Sequence, residues 1–137
     1  MKPLYQTSVT ASGGRNGRVK SHDGVIDLEV RLPKELKGEG GPYTNPEQLF
    51  AAGYAACFDS ALNLVARLER KKITSQITAT VGLKLAGLSG MDLVVTLDAK
   101  IEGVDAETAH KLLEKAHKTC PYSKAISNNV DVKINLL

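Results

Sequence analysis

The sequence of 137 residues contains no tryptophan, two phenylalanines, four tyrosines and two cysteines. So few aromatic rings leave little for stacking against bases. With 18 basic and 15 acidic residues the net charge is only +3, too weak to argue for a nucleic-acid partner. Two cysteines exclude a disulfide-framework scaffold, and they lack the clustered spacing of a zinc site. A long uninterrupted hydrophobic run is also absent. The most apolar window, 49–66, is broken by Asp59, Ser60 and Asn63, which points to a buried helix and away from a membrane span. The start, Met1-Lys2-Pro3-Leu4, is followed by no apolar segment of the secretory kind. These absences predict a soluble cytoplasmic protein with no nucleic-acid or membrane partner. In that compartment a pair of cysteines is more often catalytic or redox-active than structural.

What is present reads as a folded chain. Apolar residues make up 42% and charged residues 24%, and the length suits a single domain over 1–137 while being too short for two well-built ones. Leu4 to Ala11 alternates weakly as a strand. The Gly13-Gly14-Arg15-Asn16-Gly17 turn contains the Asn-Gly hairpin signal, and a second strand follows at Arg18–Ser21. Ile26, Leu28, Val30 and Leu32 alternate with charged residues as a half-buried strand. Pro33–Tyr43 is a glycine-containing loop, readable either as a lid or as a plain surface connection.

A helix is predicted from Thr44-Asn45-Pro46-Glu47 to about Arg70. Thr44 or Asn45 can cap it, Pro46 suits its first position, and Glu47 suits the positive end of its dipole. Its first half is apolar on every side, which implies burial all round. Strands over 73–85 and 91–101 are separated by a glycine turn. Asp105 caps a second helix with Ala109, Leu112, Leu113 and Ala116 on one face. Cys120-Pro121 ends that helix and is placed to cap a short one, and 130–136 is a last strand. Three strands, a helix, two strands, a helix and a strand make an α+β chain.

Cys57 lies among small residues in Ala51-Ala52-Gly53-Tyr54-Ala55-Ala56-Cys57. Gly53 inside a helix costs about 1 kcal/mol relative to alanine, and a close backbone approach by another element would explain it. Cys57 itself reads either as a small core residue or as a reactive thiol. Reactivity needs a thiolate, and an ordinary thiol is only about 3% ionised at neutral pH. The dipole has faded some three turns into the helix, and burial acts the wrong way, so a nearby cation is required. Cys120 is 63 positions away, so the two are either a cycling pair or unrelated thiols. Neither thiol has the Cys-x-x-Cys spacing of a general dithiol oxidoreductase. His110, His117 and His22 form no metal-ligand pattern, and no cofactor motif is visible.

Thr44-Asn45-Pro46-Glu47-Gln48-Leu49-Phe50-Ala51-Ala52-Gly53-Tyr54-Ala55-Ala56-Cys57-Phe58 closely resembles the first-cysteine motif of the organic hydroperoxide resistance proteins. Cys120-Pro121-Tyr122-Ser123-Lys124-Ala125 resembles their second-cysteine motif, and Gly13-Gly14-Arg15-Asn16-Gly17-Arg18 their arginine turn. The related osmotically induced peroxidases share the fold and both cysteines. The resemblance implies antiparallel sheets wrapped around a long central helix in an intertwined homodimer. It implies a cofactor-free peroxidase in which Cys57 is the peroxidatic thiolate and Cys120 the resolving thiol. Arg15 then lowers the Cys57 pKa, and Glu47 orients Arg15. Organic hydroperoxides, fatty-acid ones included, are the implied substrates, and dihydrolipoyl groups on proteins the implied reductant. Phe50, Tyr54 and Phe58 are candidates for an apolar substrate wall, and core packing explains each equally well. A non-enzymatic domain of the same fold, sensing oxidants or binding an apolar ligand, is the alternative.

Spacing adds one expectation. Ten positions of unbroken helix between Glu47 and Cys57 are about 15 Å of rise, so Glu47 and Arg15 are expected to serve the Cys57 of a partner subunit. Arg18, in the same turn, competes with Arg15 for the role, and only the motif register favours Arg15.

Overall fold

The computed structural model describes every residue, Met1–Leu137. Two compact units divide the chain, Met1–Leu49 and Phe50–Leu137.

The first unit is a three-stranded antiparallel sheet in the order β1 (Val9–Ser12), β2 (Gly17–Ser21), β3 (Asp27–Val30). Leu4 and Tyr5 stay exposed outside the sheet, so the first strand is shorter than its alternation suggested. The β1–β2 turn is built from left-handed Gly13 and Gly14, with the Asn16 N–H donating to the Gly13 carbonyl. Gly17 already belongs to β2, where a Cβ would collide with the Ser12 carbonyl. The glycines are thus needed on both sides of Arg15, and they hold it at the tip of the hairpin. Of the predicted apolar face of β3 only Val30 is buried, while Ile26 and Leu28 remain exposed. Alternation marks a strand with two unlike faces, and it does not say that one chain covers the apolar face. A short 3-10 turn, Lys34–Leu36, interrupts the loop that follows, and Thr44 bridges back to Val30.

Helix α1 runs from Pro46 to Leu68 without a break. Asn45 caps it, its side-chain oxygen accepting the Gln48 N–H at 2.8 Å. Arg70 in the left-handed region and the Lys71 N–H to Ala66 carbonyl bond close its other end.

In the second unit, β4 (Thr74–Leu85) pairs antiparallel with β5 (Met91–Glu102), and β5 pairs with β6 (Val132–Leu136). The β5–β6 pair is parallel, which the expectation of antiparallel sheets did not include. Two helices, α2 (Ala106–Thr119) and α3 (Pro121–Ile126), supply the crossover that a parallel pair requires. Asp105 caps α2 by accepting the Thr108 N–H. The core joins Tyr54, Phe58, Ala61, Leu62, Val65 and Ala66 of α1 to Val95, Leu97 and Ala99 of β5. Leu112, Leu113 and Ala116 of α2 and Cys120 complete it. By length and composition α1 could cross a membrane, but this packing makes it the core helix of the unit.

Candidate functional site

The two sulfurs meet. Cys57 Sγ, from the middle of α1, lies 3.5 Å from Cys120 Sγ. Cys120 occupies the junction between α2 and α3, in the extended backbone that the following Pro121 imposes. Both are free thiols, Cys57 half-buried and Cys120 with no exposed surface. Cys57 is therefore partly open to solvent and Cys120 is not. Burial pushes the Cys57 thiol above its ordinary pKa and the Cys120 sulfur adds to this, while the Tyr122 backbone N–H draws it down.

Aromatic rings surround the helix turn beside the thiols. Phe50 meets Tyr54 edge-on at 6.0 Å and Tyr122 at 6.3 Å, and Tyr54 meets Phe58 at 6.4 Å. Tyr54 and Phe58 are wholly inside the core, Phe50 is partly buried, and Tyr122 is 39% exposed. Of the predicted wall residues, then, Phe50 alone retains a solvent-facing edge. The approach that explains Gly53 comes from a side chain, the Tyr122 ring, and not from a backbone.

Beneath the rings runs a short polar chain. Tyr54 Oη lies 2.6 Å from Ser123 Oγ, and Ser123 Oγ lies 2.9 Å from His117 Nδ1. Burial raises the pKa of Tyr54, the Ser123 hydrogen bond opposes this, and charge on either sulfur would raise it further. The sequence placed Tyr122 and Ser123 inside the second-cysteine motif without a role of their own, and His117 was weighed only as a metal ligand. The available signal was spacing: Tyr54 precedes Cys57, and Ser123 follows Cys120, by one helical turn.

In the first unit, Arg15 and Glu47 form a two-pronged pair. Arg15 Nη1 and Nη2 donate to the two carboxylate oxygens at 2.8 and 2.6 Å. This hydrogen bonding holds Glu47 below the usual carboxylate pKa and raises that of Arg15. Arg18 is engaged elsewhere, with Asp27 at 2.5 Å and Glu29 at 3.7 Å on the neighbouring strand. The turn thus commits Arg15, and not Arg18, to the start of α1.

Comparison with known proteins matches residues 38–135 to the family model "OsmC-like protein". The organic hydroperoxide resistance protein OhrA of Bacillus subtilis is 51% identical over 98% of this chain and 97% of its own. The crystal structure of an organic hydroperoxide resistance protein OsmC from Legionella pneumophila superposes with a TM-score of 0.95 at 48% identity, covering 98% of each chain. That of an organic hydroperoxide resistance protein from Elizabethkingia anophelis does so at 0.94 and 52%, covering 99% of this chain and 98% of that one. With a free thiol pair at the centre of a fold shared along its whole length with these proteins, this chain belongs to the OsmC-like family, among the organic hydroperoxide resistance proteins.

Proposed function

We propose that this chain is a thiol-dependent peroxidase that reduces organic hydroperoxides, fatty-acid ones included, to alcohols in the cytoplasm. One observation carries the reading: an accessible thiol stands 3.5 Å from a wholly buried one. The Cys57 thiolate attacks the outer peroxide oxygen. An S–O bond forms, the O–O bond breaks, and the departing alkoxide takes a proton to become the alcohol. Cys120 then attacks the sulfenic sulfur. An S–S bond forms, the S–O bond breaks, and the Cys120 proton leaves with hydroxide as water. An external dithiol, of which protein-bound dihydrolipoyl is the candidate, exchanges with the disulfide, restores both cysteines and is itself oxidised.

The first step needs a thiolate, while burial holds Cys57 as the thiol. A guanidinium is the natural remedy, since it keeps its own charge beside a dry sulfur. Arg15, oriented by Glu47, is assigned that role. Ten residues of unbroken α1 separate Glu47 from Cys57, so Arg15 and Glu47 are assigned to the site of a second copy in an intertwined homodimer. The uncovered apolar residues Val9, Ile26 and Leu28 of the first unit, and Leu64 and Leu68 of α1, support such an assembly. On this reading residues 1–137 act as one domain, completed by its copy.

The test is peroxide consumption by the purified protein with cumene hydroperoxide and dihydrolipoamide. Many turnovers per chain, abolished by Cys57→Ser, are expected. A single stoichiometric oxidation would instead identify an oxidant sensor.

A further inference from the structure

Two hydroxyls are buried where none is needed for packing. Ser123 is 2% exposed and Tyr54 has no exposed surface, yet an alanine facing a phenylalanine would fill nearly the same space without desolvating two polar groups. Their cost is offset only because they bond each other at 2.6 Å and because His117 Nδ1 holds the serine at 2.9 Å. A hydroxyl has one proton and two lone pairs, so Ser123 Oγ can donate to one neighbour while accepting from the other. The chain has an open end as well. His117 is half-buried and, with Lys118, Ser123, Lys124 and Ser127, lines a cleft of about 360 Å³.

The placement is specific. Tyr54 lies one turn before Cys57 on α1, and Ser123 one turn after Cys120 on α3. The Tyr54–Ser123 bond therefore ties the same two helices as the sulfur–sulfur contact, one turn away from it. His117, from the last turn of α2, braces the tie from the third helix. Without it, α3 is a six-residue helix with no side-chain cap at its start, held against α1 in polar terms only at its first turn, where the Tyr122 N–H and the Cys120 sulfur meet Cys57.

We propose that Ser123, held between Tyr54 and His117, is the positioning residue of the resolving step, fixing α3 so that the buried Cys120 sulfur stays poised behind the Cys57 sulfur. This rests on the peroxidase reading for its use in catalysis, though not for its effect on the thiol pair. In the resolving step the two sulfurs must close from 3.5 Å to a bond of about 2.05 Å, with Cys120 arriving opposite the departing oxygen. Holding reactants in such a pose is worth large effective concentrations, and a loosened α3 forfeits part of that. The peroxide step draws on α3 only through the Tyr122 N–H beside Cys57, so it should be slowed far less than the resolving step. Loss of the tie therefore separates the two steps. Cys57 still oxidises, its sulfenic acid persists, and over-oxidation to sulfinic acid rises.

The experiment compares wild type, Ser123→Ala, His117→Ala and His117→Asn, with folding checked by circular dichroism. The reduction potential of the pair is measured after diamide oxidation, in a dithiothreitol redox buffer. Sulfenic acid lifetime is measured by rapid mixing with cumene hydroperoxide. Ser123→Ala should slow disulfide closure about tenfold, slow the peroxide step by less than about threefold, and make the potential about 30 mV less negative, the equivalent of a tenfold loss in effective concentration. His117→Ala should show part of the same shift. His117→Asn, whose amide can occupy the place of Nδ1, should restore it, which a loss of packing alone would not. Adding Tyr54→Phe to Ser123→Ala should change the potential little further, because the tie is already cut. Wild-type potential and closure rate in Ser123→Ala would overturn the proposal, as would failure of diamide to join Cys57 to Cys120 in the wild type. If the potential shifts as expected but wild type ignores hydroperoxides, the positioning role stands and the peroxidase reading falls.

Discussion

The Tyr122 ring lies directly over Gly53, so that a Cβ at position 53 would stand 2.8 Å from the phenol oxygen and 3.1 Å from the ring edge. The same residue's backbone N–H draws down the pKa of Cys57. One contact between α1 and the start of α3 thereby couples helix packing to thiol acidity.

Gly53→Ala should expose that coupling. A helix gains about 1 kcal/mol from the exchange, and the displaced, partly exposed ring gives back a similar amount, so unfolding in urea should change by less than about 1 kcal/mol. The Tyr122 N–H moves with its ring, and alkylation of Cys57 by iodoacetamide should slow at fixed pH. Unaltered alkylation with normal stability would show that ring and N–H move independently.

The Arg15–Glu47 pair predicts a pH-dependent contribution to stability. Glu47 titrates below its ordinary range in the folded chain, so the contribution is present above the unfolded carboxylate pKa and lost as pH falls through the depressed folded value. Arg15 is 38% exposed, and screening reduces what the pair is worth. Glu47→Gln should therefore destabilise by about 1 kcal/mol at pH 7 and by much less in strong acid, measured by urea unfolding. A constant difference across that range would mean that the amide loses shape and not charge.

Much of this arrangement was legible in the sequence where the physics is local. Asn45 and Asp105 cap the helices that their spacing predicted, and the buried face of α2 falls on Ala109, Leu112, Leu113 and Ala116. Pro121 stops α2 and sets the backbone at Cys120. Pairings set by the fold were not legible. Periodicity marks 130–136 as a strand but says nothing of its partner or direction, so the parallel β5–β6 pair was missed. Ile26 and Leu28 carry a core-like pattern and are exposed in the single chain. The family resemblance placed Cys57 with Cys120 and carried Ser123 within the second-cysteine motif, but it gave no role to that serine or to His117, which holds it from the side opposite Tyr54. Their signal was spacing alone, one turn before and one turn after Cys120.

The aromatic residues should divide by burial. Phe58 has no exposed surface and sits in the core, so Phe58→Ala should cost about 3–5 kcal/mol of stability. Its effect on activity should track the folded fraction equally for every peroxide. Phe50 and Tyr122 keep solvent-facing edges, and Phe50→Ala should selectively weaken cumene over hydrogen peroxide, seen as a raised KM for the organic substrate alone. Equal loss for both peroxides would remove Phe50 from the substrate wall.

The assignment of Arg15 to a second copy can be tested by mixing. Arg15→Ala alone should lower the thiolate fraction of Cys57 near neutral pH, slowing peroxide reaction by about 30-fold if the thiol returns to an ordinary pKa. Arg18→Ala should change it little, because Arg18 is held by Asp27 and Glu29. Now combine Arg15→Ala chains with Cys57→Ser chains, denature them together and refold. A mixed dimer then contains one Cys57 facing an intact Arg15 from its partner. Random pairing makes half of the dimers mixed, each with one complete site of two, so about a quarter of wild-type turnover should return. If each arginine served the cysteine of its own chain, neither parent would hold a complete site and mixing would recover nothing. The same refolded sample run at falling protein concentration provides the control: recovered activity must disappear as dimers dissociate, since the complementing guanidinium leaves with the other copy.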